Sequence, residues 1–406
     1  MRILIASNVP KRREGGVAGV VYGVGHGLEQ RGHNVEYLLK GDLPARDYLP
    51  ARFQELEFAF ELAHFLRRNP GRFSVVNIHA PAGCVYGLTR SIWPECQRDR
   101  PAHVMTLHGL EARRAYGMSR EARKGKSYYF NFRNRVWHSF YHRPRFYLSI
   151  KTADHAICFS REVWSALQLR YGLDPDQVSY VPNGVEERFF IPRQFAPGVS
   201  GRLLFVGTWL DQRGIFYIRD ALRNLSKRLP CLRLTIAGCG TDPEQIKSFF
   251  EPALRPLLDV ISMVPSDQMP ALYARNDIFV FPSIVEGTPL AVQEAMASGL
   301  AVVTAESCGM IDLVEHEFNG LLVPPADAAA LESAIWRLSQ DAGLRATLGR
   351  AATETMRRHT WARTVSGVEN ACASALRRIG REPDLVSSHP ERQSELGVKV
   401  PTGEVD

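Results

Sequence analysis

Short, continuously apolar runs alternate along this chain with longer stretches in which apolar and polar positions mix. The short runs suit strands buried on both faces, and the mixed stretches suit helices packed over them. Residues 2–7 (RILIAS) read as the first strand. A glycine-containing loop at 13–16 follows, then a helix over about 17–30 that stops at Gly32, and "RGHNVEYLL" leads into a second strand. "FSVVNIHA" (73–80), "AHVMTLHG" (102–109), "ADHAICFS" (153–160) and "QVSYVPNG" (177–184) read as further strands, the first two each ending in a histidine. The pattern then restarts. "RLLFVGTWLDQRG" (202–214) is strand, loop and glycine, with a helix to about Leu229 and another strand in "LRLTIAGCG" (232–240). Strands alternating with helices predict an α/β fold of two doubly wound, Rossmann-like domains with parallel sheets. The boundary falls near "RQFAPGVSG" (193–201), giving domains over 1–195 and 196–360. Ligands of such sheets bind beyond the C-terminal strand ends, here in the cleft between two facing domains. From 380 to 406 the chain is polar and has no aromatics, and it reads as a disordered tail.

Composition narrows the setting. Apolar residues make up 45% of the 406, enough for sizeable cores. No uninterrupted apolar run approaches the roughly 18 residues of a membrane span. The opening "MRILIASNVPKRR" is apolar first and basic second, the reverse of a signal peptide, so a cytoplasmic location is expected. The seven cysteines are scattered, none forms a CxxC pair, and no metal site is expected. Net charge is +7, but residues 111–151 alone hold eleven Lys/Arg against two acids. The same segment carries ten aromatics, as in "KSYYFNFRNRVWHSFYHRPRFY". Basic residues interleaved with aromatics suit an anionic membrane surface or a lipid-diphosphate. They would also suit single-stranded nucleic acid, which nothing else in the chain supports. The structural alternative is a pair of amphipathic helices with aromatics inward and Arg/Lys solvated.

Two stretches concentrate chemistry. "IFVFPSIVEGTPLAVQEAMASGLAVVT" (278–304) reads as strand, loop, helix and strand, with Thr288 as helix cap and Pro289 at the first helical position. The free N–H groups of that helix end would favour a phosphate. Glu286 precedes it and Glu294 lies a turn inside, two carboxylates able to accept hydrogen bonds from sugar diols. By themselves they read equally as solvated glutamates. "FVGTWLDQRGI" (205–215) has the shape of a phosphate-handling loop, but Arg213 is its one basic residue.

These stretches together resemble the family-4 retaining glycosyltransferases of GT-B fold, the group 1 glycosyltransferases. Glu286, seven residues and Glu294, followed by "AMASGLAVV", resemble that family's E-x7-E motif. "GGVAGV" (15–20), "RGHNV" (31–35), "VMTLHG" (104–109), "VPNGVEERFF" (181–190), "NGLLVPPAD" (319–327) and "HTWARTV" (359–365) resemble its other segments, in order, to about residue 370. The resemblance implies that a last helix, 361–379, returns to the first domain. It implies that Glu294 binds the ribose and that Glu286 lies beside the donor sugar. Backbone amides at Gly287, Thr288, Leu290 and Ala291 would serve the phosphates or sugar, since Pro289 cannot donate. Gly16 would admit the diphosphate, His108 would lie under the reacting sugar, and Arg213 would pair with the donor phosphates. Without the resemblance, His108 reads as a strand-end histidine capping a carbonyl. His79 is assigned a structural role only.

The chain departs from the family at Thr208, where an arginine is usual. Three readings stay open: a neutral hydrogen bond from Thr208, a cation from Lys11, Arg12 or Arg13 across the cleft, or a slow or inactive enzyme. The resemblance implies transfer of a hexose from a nucleotide-diphosphate sugar with retention and without a metal or other cofactor. UDP-sugars are favoured over GDP-mannose. The departing phosphate would help deprotonate the acceptor, a saccharide or lipid-linked hydroxyl held by the first domain. A non-catalytic nucleotide-sugar-binding scaffold and a nucleotide-sugar epimerase are the competing functions. The expected partners are the donor, the acceptor and, through 111–151, the inner face of the plasma membrane; nucleic acid is not expected.

Overall fold

A computed structural model of the chain describes residues 1–11, 15–43, 50, 53–90, 92, 100–127, 132–195 and 197–383. The expected tail lies outside the described residues from 384 onward. The first half runs β1 (Arg2–Ser7), α1 (Gly16–Gln30), β2 (Asn34–Leu39), α2 (Gln54–Arg68), β3 (Val75–His79), α3 (Cys84–Thr89), β4 (Ala102–Leu107), α4 (Glu111–Arg123) and α5 (Phe132–Trp137). A π-helical turn, His138–His142, joins α5 to α6 (Arg143–Lys151), and β5 (His155–Cys158), α7 (Arg161–Leu169) and β6 (Val178–Tyr180) follow. The six strands form one parallel sheet in the order β2-β1-β3-β4-β5-β6.

The second half runs β7 (Arg202–Val206), α8 (Ile215–Leu225), β8 (Arg233–Ala237), α9 (Pro243–Ser248), β9 (Leu258–Ile261), α10 (Met269–Ala274), β10 (Ile278–Phe281), α11 (Leu290–Ala297), β11 (Ala301–Ala305), β12 (Leu321–Val323), α12 (Ala328–Gln340) and α13 (Ala342–Met356). Its parallel sheet has the order β12-β11-β10-β7-β8-β9. The α/β class and the two doubly wound sheets are as the alternation predicts. The four-residue strand β9 does not stand out in the sequence, because its run is too short and too mixed to separate from loop.

Burial follows the pattern. Strands β3, β4, β5, β10 and β11 are buried at every position, as sheets covered on both faces require. The last helix, α14 (Trp361–Arg378), crosses back to the first sheet. Val365, Val368, Ala371, Cys372, Ala375 and Leu376 bury one face of it beside Val20, Val24 and Leu28 of α1. Glu369 fastens that contact with an ion pair to Arg31 at 2.6 Å and a hydrogen bond with His33 Nε2 at 2.7 Å. Close approach is built in at Gly27, where a Cβ would collide with Val365.

Candidate active site

Each sheet reverses its direction of travel at one place, between β1 and β3 in the first and between β7 and β10 in the second. Loops leaving neighbouring strands at such a point diverge and open a crevice. Arg213 comes from the loop after β7 and Glu286 from the loop after β10, so the topology alone brings them together. Arg213 ends a 3-10 turn, Asp211–Arg213, and Gly214 reverses the chain at φ 77° to start α8. A side chain on Gly214 would strike the Pro282 carbonyl, so both the positive φ and the packing demand glycine. The Arg213 guanidinium lies 5.0 Å over the Phe281 ring and 2.5 Å from a Glu286 oxygen. Burial pushes the Glu286 carboxyl up, with Arg213 and Arg114 opposing. The arrangement is a cation held by ring and carboxylate in a partly dry crevice, where its charge acts strongly.

Thr208 is exposed, and its side chain has no hydrogen bond among the described residues. Trp209 takes its place in the core, packed against Phe205, Phe249 and Phe250. Of the basic residues considered as a second cation, Lys11 pairs with Asp42, and Arg12 and Arg13 lie outside the described residues.

The helix start differs from the one the sequence suggests. Pro289 itself is the cap residue of α11, in extended conformation at φ −75° and ψ 118°, and the helix begins at Leu290. Thr288 is therefore no N-cap. Its hydroxyl donates to the Phe159 carbonyl of the first domain at 2.5 Å. Pro289 is itself extended rather than helical, which moves the helix start one residue on, and an acceptor waits across the cleft. The N–H groups of Leu290 and Ala291 fall in the first turn, which has no intrahelical partners to offer. Gly287 fits beneath the His108 carbonyl, with its own carbonyl against Gly309; a Cβ at either glycine would overlap an oxygen. Across the cleft, Gly15 (φ 105°) starts α1, and the space beside Gly16 is open.

His108 follows β4 and touches His79, the last residue of β3, with Nε2 and Nδ1 2.8 Å apart. One proton is shared between these nitrogens, so the rings cannot both be charged. Burial lowers His108 to about 4, and burial with the neighbouring His108 lowers His79 well below its ordinary value. Burial thus favours the neutral form of both rings. His79, read as structural, holds a hydrogen bond with His108. Two histidines closing neighbouring parallel strands were the available signal.

Glu294 has different surroundings. The Tyr273 hydroxyl donates to it at 2.8 Å. Burial raises its carboxyl to about 7, with Glu186 adding to the rise and Tyr273 and Arg188 opposing. Arg188 donates to the Ser266 carbonyl at 2.7 Å, which ties the interdomain linker to the loop after β9. Tyr273 carries no motif that would single it out in sequence, and Arg188 lies within VPNGVEERFF, which marks the segment but not this contact.

The basic segment divides in two. On α4, Arg113 pairs with Glu162 at 3.1 Å, and beyond its end Lys126 pairs with Asp220 at 2.9 Å in the second domain. Tyr217 also reaches Glu121 across the cleft. Trp137 and Tyr141 stack inward on each other. The remainder faces outward: Phe140 is 81% exposed, Val136 and Tyr147 are exposed, and Arg133, Arg135 and Arg143 have no carboxylate partner among the described residues.

Comparison with known proteins identifies the family. Residues 14–189 match the model described as Glycosyltransferase Family 4, and residues 188–355 match Glycosyl transferases group 1. The chain belongs to this group 1, family 4 class of glycosyltransferases. It is 30% identical over 186 residues to the amylovoran biosynthesis glycosyltransferase AmsK of Erwinia amylovora, a match covering 44% of this chain and 46% of that one. Among solved structures, the sucrose-phosphate synthase of Thermosynechococcus elongatus superposes with a TM-score of 0.71 at 19% identity, covering 91% of this chain and 97% of the other. HepE of Anabaena, solved with UDP-glucose, gives 0.64 at 16% identity, covering 92% and 100%. The two-domain GT-B fold is shared with these structures.

Proposed function

We propose that the protein transfers a hexose from a UDP-sugar to a hydroxyl of a saccharide or lipid-linked acceptor, with retention and without a metal, in surface-polysaccharide or glycolipid assembly. The observation that carries this reading is the Arg213–Glu286 pair at the switch point of the second sheet, beside Gly287, which packs against the His108 carbonyl of the first. Arg213 would turn its free guanidinium edge to the leaving diphosphate, aided by amides at the start of α11 and α1. Glu286 would accept from sugar hydroxyls, and neutral His108 would face the reacting carbon. The departing phosphate would take the acceptor proton, so no additional base is required. HepE's complex with UDP-glucose supports uridine as the base.

A thermal-shift panel of UDP, GDP, ADP and dTDP tests the donor: UDP should give the largest rise, since a ligand bound only to the folded state stabilises by mass action. No shift with any of the four would overturn the reading. The exposed, neutral Thr208 favours one rival, a scaffold that binds nucleotide sugar without turning it over. UDP binding with neither transfer nor hydrolysis of any UDP-hexose would support that rival.

Glu294 supplies a pH test. Its folded-state carboxyl is raised from 4.5 to about 7, so its contribution to stability is present below pH 4.5 and lost as pH rises through about 7. A ribose diol donating to the carboxylate reverses this preference. UDP affinity should therefore rise by about tenfold between pH 6 and 8, beyond the slope of Glu294→Gln, which reports the diphosphate's own titration. Parallel slopes for the two proteins would remove Glu294 from the ribose site.

Membrane contact, if the acceptor is lipid-linked, would fall on the outward half of the basic segment around Phe140. Flotation with anionic liposomes at low salt should carry the protein, and Phe140→Asp combined with Arg135→Glu should abolish it. Absence of wild-type flotation would dismiss the contact.

A further inference from the structure

Between the domains, over His108, Gly287 and Glu286, lies a cavity of about 390 Å³. This is within the roughly 300–1,000 Å³ of small-molecule sites. Its wall extends into the first domain as far as Glu55 and His142, well past the residues assigned to the donor.

The charge pattern of that wall is specific. Four carboxylates line it, Glu55, Glu111, Glu162 and Glu286, with Arg113 and Arg114 as the cations. Both arginines are already engaged: Arg113 with Glu162 at 3.1 Å, and Arg114 with Glu111 at 3.9 Å. Glu111 also meets His138 Nε2 at 3.0 Å, and Glu55 meets Arg145 at 3.0 Å behind the wall. Burial pushes the Glu111 carboxyl up, but the hydrogen bond from His138 and the charge of Arg114 more than offset this, and it stays below its ordinary range. Each of the four carboxylates is thus paired with a cation: Glu55 with Arg145, Glu111 with Arg114, Glu162 with Arg113 and Glu286 with Arg213. An incoming phosphate or carboxylate would meet like charge and would have to displace a carboxylate from its arginine. A sugar hydroxyl can donate to a carboxylate and accept from the arginine beside it, and Trp137 on the same wall offers a surface for ring C–H groups.

We infer that this cavity is the acceptor subsite and that it takes an uncharged sugar residue, rejecting acceptors whose terminal residue bears a carboxylate or a phosphate. The inference rests on the transferase reading above, and its test separates the two. Full-length protein loaded with UDP is titrated with methyl hexosides of gluco, galacto and manno configuration, and with the uronate and 6-phosphate of each, by saturation-transfer NMR. At least one neutral glycoside should bind, with its charged counterparts weaker by about tenfold or more. Glu162→Gln, which frees Arg113, should strengthen uronate binding relative to the neutral glycoside. Equal binding of charged and neutral members, or no neutral glycoside bound by protein that does bind UDP, would overturn the inference. Failure of UDP itself to bind would instead count against the transferase reading.

Discussion

Arg213→Ala is expected to lower kcat by about 10²–10³-fold while donor KM changes by much less. The charge on the leaving diphosphate grows in the transition state, so a cation aimed at it contributes more there than in the ground state. Arg213 is built for this duty. Its loop is forced by Gly214, its guanidinium is steadied over Phe281, and Glu286 holds it from the side. With Thr208 neutral in the same loop, the chain has little redundancy to cover the loss. Arg213→Lys should recover part of the rate, because it restores charge but neither the planar fork nor the ring stacking. The alanine variant also leaves Glu286 in its dry setting without its cation, and the carboxyl should respond by protonating rather than by unfolding the domain. Steady-state kinetics with a saturating acceptor decide the matter: kcat within a few-fold of wild type would end the leaving-group role.

Gly287→Ala should reduce kcat/KM by about 10²-fold, the scale of an ångström-sized misplacement of reacting groups. A Cβ there would overlap the His108 carbonyl oxygen, and the Gly287 carbonyl is already packed against Gly309. The loop has no room to retreat, so the substitution must part the two domains where His108 meets Gly287. Each domain keeps its own sheet and core, so the melting temperature should fall only slightly. The Thr288 bond to Phe159 crosses the same seam and should be lost with it. Wild-type kinetics in the alanine variant would show that this closed contact is not needed for turnover.

Much of this was legible locally. The alternation of apolar runs and helices identifies both sheets, and the spacing of Glu286 and Glu294 with the motifs around it points to the family. Misreadings fell where a local rule met a distant partner. Thr288 has the chemistry of a cap, yet it bonds to Phe159, because Pro289 is itself extended and starts the helix one residue later, and a carbonyl of the other domain lies within reach. The basic run 111–151 reads as one patch, yet Arg113 and Lys126 are engaged by Glu162 and Asp220, while Phe140 and its neighbours face outward.

By itself the sequence determined most of the elements, their parallel arrangement in two halves and the residue types available at the strand ends, because hydrophobic periodicity and turn chemistry act over a few neighbouring residues. The tertiary structure alone decided that Arg213 faces Glu286, that His79 bonds to His108, and that four paired carboxylates surround one cavity. Those contacts join residues far apart in the chain, and they exist because strand order and domain closure fix which loops meet.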